Sequence, residues 1–242
     1  MNNIELVNKA KEVLNFKTFY IWGSFGAPIT QKLLDEKFKQ YPSYYTQKKK
    51  EEAIKHVGKG YFGFDCIGLI KGILWGWDGS QTANGGAKYN SNGVQDVNAD
   101  TTISLCSDVS TNMSNIIPGE CVWMKGHIGI YIGNGEVIES TPAWNSGVQL
   151  RKLSDRKWLR HGKLPWVQYL NIETKERPLL KRNSKNKEAV LELQRKLKEL
   201  GYKIQDDGIF GEETEKVVIQ FQKDKGLEDD GIVGKDTYGK LF

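Results

Sequence analysis

The stretch Gly126-His127-Ile128-Gly129-Ile130-Tyr131-Ile132-Gly133-Asn134-Gly135 leaves little choice of structure. Apolar residues alternate along it, as in a strand with one covered face. It closes on Asn-Gly, the pair that best tolerates the positive φ angles of a two-residue hairpin turn. Val137-Ile138-Glu139-Ser140 returns as the partner strand. An antiparallel sheet follows, with strands expected over 120–124, 127–133 and 135–140. Pro118-Gly119-Glu120 opens it, and 148–151 and 158–166 supply the closing strands. His127 begins one hairpin strand and Glu139 lies on the other, so both side chains can reach one face. A carboxylate beside an imidazole orients it as a base. A lone histidine is more often structural, so the reading needs a nucleophile.

Phe64-Asp65-Cys66-Ile67-Gly68-Leu69-Ile70 provides one. The apolar run beyond Cys66 reads as a helix with the cysteine in its first turn, where the positive end of the helix dipole favours thiolate. The competing reading is a buried structural cysteine. Cysteine, histidine and an orienting polar group together follow the triad logic of cysteine hydrolases. Cys106 and Cys121 have no setting of this kind, and the three cysteines show neither a disulfide framework nor zinc spacing.

Asp65-Cys66-x-Gly68-Leu69, Pro118-Gly119-Glu120 and Gly126-His127-Ile128-Gly129-Ile130-Tyr131-Ile132-Gly133 resemble the NlpC-type cell-wall peptidases, papain-like cysteine hydrolases that cut the peptide stems of peptidoglycan. Phe19-Tyr20-Ile21-Trp22-Gly23 resembles that family's upstream motif, whose tyrosine approaches the active site. The resemblance implies an α+β domain over residues 1–170, with helices packed on an antiparallel sheet. It also implies Cys66 as nucleophile, His127 as base and Glu139 as third member. Tyr20 and Asp65 fall at the oxyanion and substrate side, and Trp144 either lines the groove or packs in its loop. His161 is a rival third residue, ranked below Glu139 because it lies outside the hairpin. Ile67 stands where the family usually has serine. Glu139 stands where it has His, Asn or Gln. The long separation of Tyr20 from Cys66 marks an insertion of roughly 27–62.

Elsewhere in this domain, Ile4, Val7, Ala10, Val13 and Leu14 have helical spacing. The insertion holds two more helical patterns, 29–41 and 47–57, the second capped by Thr46. Its Lys48-Lys49-Lys50 run reads as a solvated face, with contact to an anionic polymer as the sharper alternative. His56 reads as surface. Residues 75–118 are rich in turn formers and are expected to wall the cleft beside Cys66, with short helices over 96–117.

The polar segment 171–178 reads as a linker. Beyond it, Asp206-Asp207-Gly208-Ile209-Phe210-Gly211-x-x-Thr214 recurs as Asp229-Asp230-Gly231-Ile232-Val233-Gly234-x-x-Thr237. With the apolar faces of 190–200 and 217–221 this implies a small all-α domain of three helices over 179–242. It resembles the three-helix peptidoglycan-binding domain. It has no histidine or cysteine, so binding fits and catalysis does not.

Residues 1–170 carry net charge +5 and residues 171–242 carry zero, so the first domain would be drawn to an anionic wall. No nucleic-acid motif accompanies that charge. No run approaches the ~18 apolar residues of a membrane span, and no export signal opens the chain. By resemblance the expectation is a phage endolysin of a Gram-positive host, held in the host cytoplasm until release. It would act as a monomer on bacterial peptidoglycan without metal or cofactor, nucleic acid or membrane. The bond expected is γ-D-glutamyl–diamino acid. The competing readings are an N-acetylmuramoyl-L-alanine amidase with the same triad and a non-catalytic wall-binding protein.

Overall fold

A computed structural model describes residues 1–170 and 178–241. It divides into two compact units, residues 1–170 and 171–242. The linker expected over 171–178 lies, apart from Pro178, outside the described residues.

The first unit opens with α1 (Asn3–Val13). Asn2 caps it, accepting from the Ile4 and Glu5 amides while Glu5 reaches back to the Asn2 amide. Leu6, Val7, Ala10 and Val13 form its buried stripe. A small sheet follows, in the order β1 (Thr18–Tyr20), β3 (Phe62–Phe64), β2 (Phe25–Pro28). Its β1–β3 pair is parallel. Neither the sheet nor the parallel pair was expected from residues 16–26. The helical patterns of the insertion between β2 and β3 become α2 (Gln31–Gln40) and α3 (Gln47–Ile54), capped by Thr30 and Thr46. They close a separate small core of Ile21, Ile29, Leu34 and Ala53. His56 is not plain surface: its ring packs 4.1 Å from Phe19 and 4.5 Å from Tyr61, centroid to centroid.

All nine residues of α4 (Cys66–Leu74) are buried, and its sequence is apolar but for Lys71, whose ammonium pairs with Asp96. Each fully buried Leu or Ile side chain there contributes roughly 1.5–3 kcal/mol. A Cβ at Gly68 would sit 2.0 Å from the Ser24 carbonyl oxygen, and one at Gly72 2.3 Å from that of Phe25. These two glycines let the chain entering β2 cross α4 at backbone contact.

The main sheet has six strands in the order β4 (Ser107–Ser110), β9 (Arg160–Lys163), β5 (Cys121–Met124), β6 (His127–Gly133), β7 (Glu136–Thr141), β8 (Gly147–Lys152). Every neighbouring pair is antiparallel. Asn134 and Gly135 both take positive φ at the β6–β7 turn. The strand expected over 158–166 is the shorter β9, and it is interior because β4 pairs with its outer side. Within the stretch read as short helices, 96–117, only α5 (Ala99–Leu105) and a single 3-10 turn are helical, and β4 is a strand. Part of the loop lies away from Cys66. Trp75 Nε1 donates to Val94 O, and Asn92 Nδ2 to Leu74 O, at the opposite end of α4.

Among the described residues the second unit has three helices, α6 (Lys187–Glu199), α7 (Glu212–Asp224) and α8 (Lys235–Leu241), around Val190, Leu193, Leu197, Phe210, Val218, Phe221 and Val233. Each repeat is built on a buried glutamine. Gln194 Nε2 donates to Asp207, Ile209 O and Thr214, while its Oε1 accepts from the Gly208 amide. Gln222 makes the same four bonds to Asp230, Ile232 O, Thr237 and Gly231. The repeat spells out these loops because each needs the same donors and acceptors.

Candidate active site

Cys66 is the first residue of α4, and Asp65 is its cap. One Asp65 oxygen accepts from the Gly68 amide at 2.6 Å, and the other accepts from the Gly23 amide at 2.8 Å. Asp65 therefore ties the loop after Tyr20 to the helix that carries the sulfur. Burial pushes the Asp65 carboxyl up, against the pull of these two amides.

The Cys66 sulfur lies 3.9 Å from the Gly126 carbonyl oxygen. The amides of Ile128, Ile67 and Cys66 also face it. The thiol thus rests against the backbone on both sides of His127. Burial, and then the charge of Asp65, push its pKa up to about 12, while those amides pull the other way. The expected depression by the helix dipole is outweighed, because the sulfur has left water and the cap beside it is a carboxylate. At neutral pH the resting group is a thiol.

The β6–β7 register pairs Ile130 with Ile138, so Glu139 lies opposite Gly129 and His127 is its diagonal neighbour on the same face. Gly129 makes room there: a Cβ would fall 2.7 Å from Val137 Cγ1 and 3.3 Å from Glu139 Cβ. His127 Nε2 bonds Glu139 Oε2. Nδ1 forms no hydrogen bond among the described residues, so it is the nitrogen left for a second partner. The ring stacks on Trp158, with centroids 5.6 Å apart and planes 15° from parallel.

Glu139 is fully buried, yet its carboxyl lies below the ordinary glutamate range. Burial alone would raise it, but the hydrogen bonds from His127 and Arg156 outweigh that. Arg156 Nε lies 2.8 and 2.7 Å from the two Glu139 oxygens, and its terminal nitrogen reaches Thr141 Oγ1 at 2.8 Å. Arg156 was not anticipated. It follows β8 and a 3-10 turn, and no local pattern links it to Glu139. Asp100 of α5 is a second unforeseen support. Its Oδ1 accepts from Trp123 Nε1 at 2.9 Å and from the Gly126 amide at 2.7 Å, holding the tight turn that leads into His127.

Tyr20 ends β1 and is buried. Burial raises its hydroxyl most, and Cys66 and Asp65 add to it, so the phenol borders the sulfur. Its hydroxyl donates to no group among the described residues. Trp22 and Tyr44 pack beside it, 4.8 Å apart, and Lys49 Nζ lies 3.5 Å from the Tyr44 centroid. Burial, then Asp65 and Cys66, push Tyr44 up to about 12. Part of the insertion therefore reaches the nucleophile's side of the fold.

Trp144 is 51% exposed, and the guanidinium groups of Arg151 and Arg156 lie 4.1 and 4.6 Å from its ring centroid. It covers the outer side of Arg156. His161 stands apart from this cluster: Nδ1 meets Glu120 at 2.5 Å, and Nε2 meets Asn112 O and Asn115 Oδ1. All of its polar atoms are engaged in a buried network, which suits a structural residue.

Among the described residues no group of three or more His, Cys, Asp or Glu is gathered as a metal would need. No helix among them is long and apolar enough to cross a membrane.

Residues 51–166 match the NlpC/P60 family, and residues 186–241 match a family described as a peptidoglycan binding domain. Among solved structures, the chain is similar to a peptidoglycan-binding protein from Clostridioides difficile in complex with glutamine hydroxamate. That match has 24% identity and a TM-score of 0.27, and covers 48% of this chain and 60% of the other. It is also similar to NlpC2 and NlpC1 from Trichomonas vaginalis, each at 15% identity and a TM-score of 0.38. These cover 67% of this chain and 46% and 44% of theirs. The chain thus spans less than two thirds of the length of these solved structures. The chain thus carries an NlpC/P60 domain over residues 51–166, followed by a peptidoglycan binding domain over residues 186–241.

Proposed function

We propose that this chain cuts the amide bond between γ-linked D-glutamate and the diamino acid of the peptidoglycan stem, with Cys66 as nucleophile, His127 as base and Glu139 as the residue that orients it. One observation carries the reading. The His127 ring is fixed through Nε2 to a buried, ionised Glu139, with Nδ1 left over, while the Cys66 sulfur rests on the backbone flanking that histidine. The choice of bond follows the NlpC-type resemblance.

In this mechanism His127 Nδ1 takes the Cys66 proton as the sulfur attacks the amide carbonyl carbon. The imidazolium that forms lies against the Glu139 carboxylate, so charge develops beside a group already ionised. The amides at the start of α4, with the Tyr20 hydroxyl, donate to the oxyanion. The stem amine leaves with the proton from His127, and a thioester to Cys66 remains. Water, deprotonated by the same imidazole, releases the acyl fragment and restores the thiol. Residues 179–242 bind the glycan or its stems and hold the catalytic unit near substrate, which raises its effective concentration there.

The test is digestion of purified walls followed by mass spectrometry of the soluble fragments. A new free diamino-acid amine with the lactyl–L-alanine link intact supports the proposal. A free lactyl carboxyl with a new L-alanine amine overturns the choice of bond. Wall clearing that survives in Cys66→Ala overturns the nucleophile.

A further inference from the structure

Two thiols that the proposed chemistry does not use lie in contact: Cys106 Sγ and Cys121 Sγ are 3.6 Å apart. Cys106 caps the C-terminal end of α5 and is half-buried, while Cys121 opens β5 and is fully buried. Their approach has a structural cause. Gly162 of β9 pairs with Cys121, and a Cβ at 162 would fall 2.9 Å from Cys106 Cβ. The missing side chain on β9 is what lets Cys106 reach β5. Among the described residues each thiol has only a weak backbone acceptor besides its neighbour, Thr102 O at 3.3 Å and Gly162 O at 3.4 Å.

We propose that Cys106 and Cys121 are a disulfide-forming pair, closed by exchange with an oxidised low-molecular-weight disulfide, and that Cys66 stays outside it. Exchange begins at Cys106, the more accessible sulfur. Its thiolate attacks one sulfur of the reagent, the reagent S–S bond breaks, and one reagent thiolate leaves. Cys121 then gives up its proton to solvent base, its sulfur attacks Cys106 Sγ in the mixed disulfide, and the second reagent thiolate leaves. Two protein thiols lose two electrons and two protons, and one reagent disulfide becomes two thiols. The sulfurs need to close from 3.6 Å to about 2.05 Å, a step within the reach of side-chain rotation and a small shift of the helix end.

The bond would fasten α5 to β5. Asp100 of α5 holds the Gly126 amide, so the bond braces the turn ahead of His127. It closes a short loop, and restricting that loop in the unfolded chain should raise the melting temperature of the first unit by about 5–10 °C.

The experiment uses the full chain at pH 8, treated with glutathione disulfide or with a phosphine reductant. It is then alkylated and cut at Asp108 with a protease specific for aspartate, without further reduction. No Lys or Arg lies between the two cysteines, so this cut is what separates them. The expected result is a linked pair of peptides holding Cys106 and Cys121, an intact mass two hydrogens lower, and a Cys66 that remains recoverable by reduction. Both cysteines alkylated after oxidation, a reagent adduct on Cys106 that never resolves, or a link that includes Cys66 would overturn the pairing. The melting temperatures of oxidised and reduced wild type should differ by the stated amount, and the difference should vanish in Cys106→Ser. Equal melting temperatures for a linked and an unlinked wild type would overturn the bracing. These readouts stand whether or not the chain cuts walls.

Discussion

Replacing Arg156 with methionine removes one of the two groups that, with His127, keep Glu139 ionised. Methionine retains much of the volume and loses the guanidinium. The wild-type contacts are two nitrogen–oxygen approaches of 2.8 and 2.7 Å to Glu139 and one of 2.8 Å to Thr141. Glu139 is wholly buried and the Arg156 side chain is 17% exposed, so solvent screens the pair little. Removing one partner of a buried ion pair costs ~3–5 kcal/mol. His127 remains on the carboxylate, which places the loss near ~3 kcal/mol, within the range of one or two hydrogen bonds to a charged group. The stack on exposed Trp144 adds only ~0.5–1 kcal/mol, so the ion pair dominates. The sign with pH follows from the same pair. Glu139 is held below the ordinary glutamate value, so its contribution is present above that value and is lost as pH falls through the lower folded one. Without Arg156 only His127 still opposes burial, so the Glu139 carboxyl moves up and the loss of stability begins at a higher pH. The acid limb of wall clearing rises with it. All seven tryptophans lie within residues 1–170, so urea unfolding followed by tryptophan fluorescence reports this unit alone. Arg156→Lys, which keeps charge without the fork, should fall between the two. If Arg156→Met unfolds within ~0.5 kcal/mol of wild type and its acid limb does not move, Arg156 does not help to hold Glu139 ionised.

Glu139→Gln should keep the fold and its binding to walls while lowering turnover by about 100-fold or more, because a neutral amide neither fixes the tautomer nor balances an imidazolium; unchanged turnover in a clearing assay would remove Glu139 from the mechanism. Cys66, with its thiol pushed up to about 12 by burial and then by Asp65, should react with iodoacetamide at pH 7.5 at least ~10-fold more slowly than a free cysteine and faster as pH rises. Mass spectrometry of the Cys66 peptide gives this rate, and rapid complete labelling at neutral pH would show the sulfur to be ionised at rest. Gln222→Ala strands the Gly231 amide and three acceptors in a buried loop and should cost the second unit ~2–3 kcal/mol, read by circular dichroism of an unfolding titration. A change under ~0.5 kcal/mol would mean that the repeat's shared glutamine is dispensable.

Local pattern carried the hairpin. Alternation and Asn134-Gly135 specify β6, β7 and the turn, and a period of two puts residues 127 and 139 on one face. The same holds for the helix at Cys66, where Asp65 is an ordinary cap and the run beyond it is apolar but for Lys71. The repeat around Asp207 and Asp230 announced itself because two loops solve one bonding problem in the same way. Where spacing was the only guide, the reading drifted. Residues 107–110 pair with β9 and are a strand, although their surroundings suggested short helices. Asn92 and Val94 of the 75–118 loop pack at the far end of α4 from Cys66, while Asp100 reaches the turn ahead of His127. Such pairings depend on which distant segment offers an open sheet edge, and no local pattern records that.

What the residues determined unaided is the inventory: a cysteine at a capped helix start, a histidine and a glutamate in register on one hairpin, and a second module that holds neither histidine nor cysteine. What the tertiary structure alone decided is the state of those groups. Burial and the Asp65 carboxylate make Cys66 a resting thiol rather than the thiolate its helix position suggested. His127 and Arg156, the latter brought in from beyond β8, hold the Glu139 carboxyl below the ordinary glutamate range where burial alone would raise it. Ionisation depends on the nearest charges and on the exclusion of water, and both are set by segments far apart in the chain.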